Sequence, residues 1–143
     1  MNPADTSTKR ITDRLAAFGA AWHRKDVEQL LECVTDDCVY SASVGPEPGA
    51  TFRGKGELRE GFVRMLAHDS AAERREGQSW VFGDHVVSLW SFVYCDEQGR
   101  ASEVKGIDLF EFAGDKIRLK DAYRKTFPAD RLVKSLPQAG RSG

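Results

Sequence analysis

A carboxylate set among apolar residues in a strand can hold or move a proton, and Asp108 is placed that way in the run Gly106-Ile107-Asp108-Leu109-Phe110-Glu111-Phe112. Alternate side chains of a strand share a face, so Gly106, Asp108, Phe110 and Phe112 point one way and Ile107, Leu109 and Glu111 the other. A hairpin turning at Gly114 pairs residues whose numbers sum to about 228, which sets Lys120 across from Asp108 and puts Ala122 and Arg124 on the same face. A register slip of one residue would turn Lys120 away. With the pairing intact this face holds a carboxylate and at least one cation. Asp108 then reads either as a proton donor or acceptor, or as a residue satisfied by an ordinary cross-strand pair.

Other chemistries find less support. Cys33, Cys38 and Cys95 are odd in number and lack CxxC spacing, so they read as reduced core thiols, with no disulfide framework and no zinc site. The stretch RGKGELREG has glycines without the spacing of a dinucleotide or P-loop motif, and no cofactor is called for. The net charge of -1 gives no bias toward nucleic acid or an anionic membrane. His85 follows a turn and reads as solvent-accessible, and the Arg74-Arg75 pair reads as a solvated strand edge.

The elements that must position these residues follow from periodicity. Ile11, Leu15, Phe18 and Trp22 form the stripe of a first helix, Val27, Leu30, Leu31 and Val34 that of a short second one ending near Thr35-Asp36-Asp37. A strand over Cys38 to Ser43 is followed by a loop with Gly45, Pro46, Pro48 and Gly49, then by a third helix carrying Leu58, Phe62, Met65 and Leu66. From about Arg74 the runs QSWVFG, HVVSLWSFVYC, ASEVKGIDLFEF and KIRLKDAYRKTF read as strands, separated by turns at Gly83-Asp84, Glu97-Gln98-Gly99 and Gly114-Asp115. This describes one α+β domain over residues 9–134, with disordered tails at 1–8 and 135–143. No apolar run reaches the roughly 18 residues that span a bilayer. The polar start MNPADTSTKR lacks the core of a signal peptide, so a cytoplasmic location is expected.

The segments WHRKDVEQLLECVTDDCVY, RGKGELREGF and GIDLFEFAGDKIRLKDAY resemble the nuclear-transport-factor-2-like superfamily, in its SnoaL-like and ketosteroid-isomerase-like branch, over roughly residues 9 to 127. The resemblance implies a cone-shaped fold: three N-terminal helices packed on a curved, mostly antiparallel sheet around an apolar pocket. It assigns the Asp108 face to that pocket. The ketosteroid isomerase tyrosine falls on Phe18 and its base aspartate on Ala42, and only its second aspartate, a hydrogen-bond donor at the oxyanion in that enzyme, has a counterpart in Asp108. The Asp-Arg-Asp trio of limonene epoxide hydrolase would fall near Ser88-Leu89-Trp90 and Ala122, and its groups are missing. Scytalone dehydratase needs two histidines with an aspartate, and His23, His68 and His85 do not make an evident pair. The SnoaL-type cyclases use one acid/base aspartate, which Asp108 could supply.

The resemblance therefore implies a cofactor-independent enzyme acting on a small, mostly apolar organic molecule by acid/base proton transfer, of isomerase, dehydratase or cyclase type. Asp108 would be the acid/base, Tyr40 a phenolic donor, and Lys120 or Arg124 would stabilise a developing oxyanion. Phe18, Trp22, Ala42, Phe62, Met65, Leu66, Trp90 and Phe110 would line the pocket, with Trp80, Phe92 and Tyr94 near its wall. Tyr40 also reads as a core aromatic, and the helical stripes as core. The family's opposite sheet face commonly meets a second subunit, so Ile107 and Leu109 point to a homodimer, with burial under a helix as the alternative. A non-catalytic binding protein and an interaction module that works through its sheet remain rivals.

Overall fold

The computed structural model describes residues 3–69, 72–95 and 97–125. Helix α1 spans Pro3–Arg24, α2 Val27–Glu32 and α3 Gly54–His68; the strands are β1 Val34–Ser41, β2 Thr51–Arg53, β3 Glu73–Phe82, β4 His85–Cys95, β5 Ala101–Ala113 and β6 Lys116–Arg124. Residues 3–8, expected in a tail, belong to α1. The expected tail at 135–143 lies outside the described residues. None of the described helices is long and apolar enough to cross a membrane.

Local chemistry sets the helix ends. The stripe of α1 buries Ile11, Phe18, Ala21 and Trp22. The helix stops at Lys25, whose φ of 59° places it in the left-handed region. Asp26 then caps α2, its Oδ1 accepting from the Gln29 amide at 3.1 Å. At the start of α3, Glu57 reaches back to accept from the Arg53 amide at 3.1 Å, giving a partner to the N–H at the helix entry.

The strands form one sheet in the order β2-β1-β6-β5-β4-β3. Every neighbouring pair is antiparallel except β1 with β6. Two features of the expected architecture are corrected. Only α1 and α2 precede the first strand, and α3 follows β2, a short strand in what reads as loop sequence. The sheet runs open from edge β2 to edge β3 instead of curving into a cone. The expected turn at Thr35-Asp36-Asp37 lies inside β1. Val34 pairs with Ile117 and Val39 with Leu119, so the four residues 35–38 bulge against a single residue of β6.

One face of the sheet carries Tyr40, Val86, Phe110, Phe112, Ile117 and Ala122 into a cluster with the buried residues of all three helices. The other face bears Leu89, Trp80, Phe82 and Tyr123, which remain exposed. Trp80 thus stands on the face away from the expected pocket. Cys33 and Cys38 are buried and free, and burial pushes the Cys38 thiol up to about 12, as for inert core thiols. Cys95 is exposed, against the expectation of a third core thiol.

Candidate functional site

Strand pairing arranges the inner face as a grid. Ala122, Asp108, Ser88 and Ser79 form one row across β6, β5, β4 and β3, and Arg124, Gly106, Trp90 and Glu76 form the next. Asp108 therefore sits opposite Ala122, not Lys120 as expected. Lys120 pairs with Phe110, two positions along β6. A two-residue displacement keeps the face, and the Lys120 Nζ still lies 3.4 Å from Asp108 Oδ1 as a diagonal neighbour.

The two side chains are 6% and 3% exposed. The Lys120 ammonium lies 4.5 Å from the Tyr40 ring centre and 4.8 Å from that of Trp22, between two π faces that attract a cation. Burial nevertheless pulls its pKa below the ordinary lysine value, since desolvation penalises the charged form; Asp108 opposes that shift and Arg74 reinforces it. Burial raises the Tyr40 phenol far above its usual range, so Tyr40 can donate a hydrogen bond and cannot serve as a base at neutral pH.

A second buried cluster adjoins the first. Asp69, the C-cap of α3, takes the Arg124 Nη2 on both oxygens at 3.0 and 3.1 Å, and the Tyr94 hydroxyl donates to its Oδ1 at 3.3 Å. Arg124 lies 5.2 Å from the Trp90 ring centre and 5.4 Å from that of Phe92, while Arg74 lies 5.5 Å from both and 5.8 Å from Trp22. Gly106 makes this stack possible. A Cβ there would fall 2.3 Å from Trp90 Cζ2 and 2.4 Å from the Tyr123 carbonyl oxygen, so no larger residue fits without moving the indole or the neighbouring strand.

Two spaces open on these residues. A cavity of about 430 Å³ lies between α1 and the sheet, walled by Leu15, Phe18, Trp22 and Phe110 and reached by Arg74, Ser79, Ser88, Asp108 and Lys120. It has the size and apolar lining of a small-molecule pocket. An inner void of about 10 Å³ is lined by Tyr40, Met65, Asp69, Trp90, Phe92 and Arg124 among others. Trp22, Arg74, Asp108 and Lys120 line both and stand where they meet.

Of the residues expected at the site, Asp108, Phe18, Trp22, Phe110 and Lys120 line the cavity, and Tyr40, Met65, Trp90 and Arg124 line the inner void. Ala42, Phe62 and Leu66 line neither and are buried in the core cluster. Arg74 is not the expected solvated edge, since its side chain is only 14% exposed. Periodicity cannot show a guanidinium stacked between rings. Asp69 escaped notice as well, although an acid at a helix C-terminus, where the macrodipole favours cations, signals a specific partner. The described residues contain no group of three or more His, Cys, Asp or Glu able to hold a metal ion.

The model of the SnoaL-like domain family matches residues 15–119. The chain belongs to the SnoaL-like family. No curated protein matches this SnoaL-like chain. Solved structures with the same fold include a nuclear-transport-factor-2-like protein of unknown function from Mesorhizobium loti, 21% identical, with a TM-score of 0.68 over 87% of this chain and 98% of that one. A similar protein of unknown function from Burkholderia xenovorans is 17% identical, with a TM-score of 0.65 over 94% of this chain and 98% of that one. TerC, crystallised with polyporic acid, is 16% identical, with a TM-score of 0.68 over 88% of this SnoaL-like chain and 99% of its own.

Proposed function

We propose that this SnoaL-like protein is a cofactor-independent enzyme that moves a proton on a small, mostly apolar organic molecule held in the cavity. The observation that carries this reading is the Lys120–Asp108 pair, buried at the place where the cavity meets the inner void. A ligand carbonyl near Lys120 would place its α-carbon within reach of Asp108. The carboxylate takes the α-proton, a carbon–carbon double bond forms as the carbonyl bond opens, and the negative oxygen rests beside the Lys120 ammonium. In a β,γ-unsaturated ketone the charge extends to the γ-carbon, and return of the proton there, with the double bond moved to the α,β position, completes an isomerisation. TerC, of the same fold, was crystallised with polyporic acid, which supports a ligand in the cavity here.

The test is deuterium exchange into cyclic ketones such as 1-tetralone, followed by NMR. Asp108→Asn is expected to slow enzyme-dependent exchange by about 10²- to 10⁴-fold, the usual worth of a positioned acid/base. Ketones that bind and never exchange would leave the protein as a carrier. Phe18 and Ala42 favour that second reading, since they replace the tyrosine and the base of the isomerase pattern with groups that move no proton.

We also propose that the outer sheet face joins two copies in a homodimer. Trp80, Phe82, Leu89 and Tyr123 are exposed there, beside half-buried Val87, Ile107 and Leu109. A contiguous apolar face of this kind marks an interaction surface. Light scattering at micromolar concentration should give twice the mass of the 15.9 kDa chain, and a stable monomer would reject the dimer.

A further inference from the structure

The inner end of the cavity holds more buried positive than negative charge. Among the described residues, Arg74, Lys120 and Arg124 meet there with two buried carboxylates, Asp69 and Asp108. Arg124 occupies both oxygens of Asp69, and Lys120 takes Asp108. Arg74 is left with Glu76 at 2.7 Å, a carboxylate 57% exposed and screened by solvent. His23 also lines the cavity and supplies no negative charge.

The hydrogen-bond inventory has the same sign. Trp90 Nε1 and Arg124 Nε are buried with no partner among the described residues, and both residues line the inner void. A buried donor left without an acceptor is costly, and two beside a guanidinium whose carboxylate partner Glu76 is solvent-screened call for a group that accepts and carries negative charge. The void, at about 10 Å³, has room for about one oxygen atom. The aromatic walls of the cavity outside suit a flat body.

We infer that the natural ligand is an organic anion with a flat aromatic body, its charged oxygen a carboxylate or phenolate held between Arg74 and Lys120 at the mouth of the inner void. This rests on the reading that the cavity takes a small organic molecule, and it adds what that molecule carries. The body lies against Phe18, Trp22 and Phe110. Arg74 is then a specificity-determining residue, held in place by its stack on Trp22, Trp90 and Phe92.

Calorimetric titration of the full chain with 2-naphthoate and its neutral isostere 2-naphthamide tests the inference. The naphthoate should bind about tenfold or more tightly than the amide, as for a charge-assisted contact. Arg74→Gln should bring the naphthoate down to the affinity of the amide, while Arg74→Lys keeps part of the preference. Asp108→Asn, which removes a negative charge from the same place, should tighten naphthoate binding even as it slows ketone exchange. That opposition separates the two readings, since exchange can fail while the anion preference holds. Equal affinity for the two probes, no binding of either, or a preference that survives Arg74→Gln would overturn the inference. Should Arg74→Gln fail to fold, the wild-type ratio and Arg74→Lys decide.

Discussion

Asp69→Ala is expected to cost about 3–5 kcal/mol of stability, the usual consequence of removing one partner from a buried ion pair. The side chains of Asp69 and Arg124 are each 6% exposed, so water cannot replace the lost carboxylate. The Tyr94 hydroxyl loses its acceptor as well, and α3 loses the side chain that ties its last turn to the far edge of the site. The signature is non-additivity. Arg124→Met on top of Asp69→Ala removes the stranded charge and should recover much of the loss, because a buried pair taken out whole is often nearly neutral. Urea midpoints of the two single variants and the double variant measure this. A single-variant loss below about 1 kcal/mol would mean that the pair is solvated like a surface salt bridge.

Trp22→Ala is expected to lower stability by about 3–5 kcal/mol and to weaken ligand binding in the same variant. The indole is 6% exposed, packs edge-on against Phe62 at 5.8 Å and Tyr40 at 6.4 Å, and meets Phe18 at 6.0 Å. Its ring also faces Lys120 and Arg74, so its loss leaves two buried cations with less of the π surface that holds them. Trp22→Phe, which keeps a ring, should recover part of both effects. Thermal melting together with 2-naphthoate titration checks the coupling. A variant that melts like wild type would show that the indole does not bear on the core.

The sequence carried the face of each strand better than the partner of each residue. Alternation along Gly106 to Phe112 put Asp108 on the inner face, and it stands there. The partner required the turn and the ladder, and neither is local. The β5–β6 hairpin closes on Gly114 and Asp115, with Ala113 opposite Lys116, and an irregularity between Glu111 and Phe112 adds one more residue of offset. Together they move Asp108 from Lys120 to Ala122. Because a displacement of two preserves the face, the ion pair survived an error that one residue would have made fatal.

Thr35-Asp36-Asp37 failed for a related reason. Its turn-forming chemistry is real and is expressed as a bulge within β1, where pairing with β6 on either side overrides weak strand propensity. Arg74 and Asp69 were out of reach of periodicity, since each is buried by groups distant in the chain. Asp69 lies 55 residues from Arg124. Phe18, Trp22 and Phe110 were legible because their helical and strand spacing reports burial directly, and in this fold the buried stripe and the pocket wall are the same surface.

The parallel pairing of β1 with β6 also sets an order of events during synthesis. Tyr40 lies beside Lys120, so the strand that carries the buried ammonium joins β1 only when about 80 residues of intervening chain have been made. Until β6 leaves the ribosome, β1 has among the described residues no strand partner but the three residues of β2, and neither Lys120 nor Arg124 exists to meet Asp108 and Asp69. Closing so long a loop is an entropic cost borne late, and contacts of such separation slow folding. A nascent chain released before residue 120 would carry both carboxylates of the site without the cations that pair with them, Lys120 and Arg124, and two acids deprived of their ion-pair partners resist burial. β6 therefore joins the sheet and supplies the partners of Asp69 and Asp108 in one step.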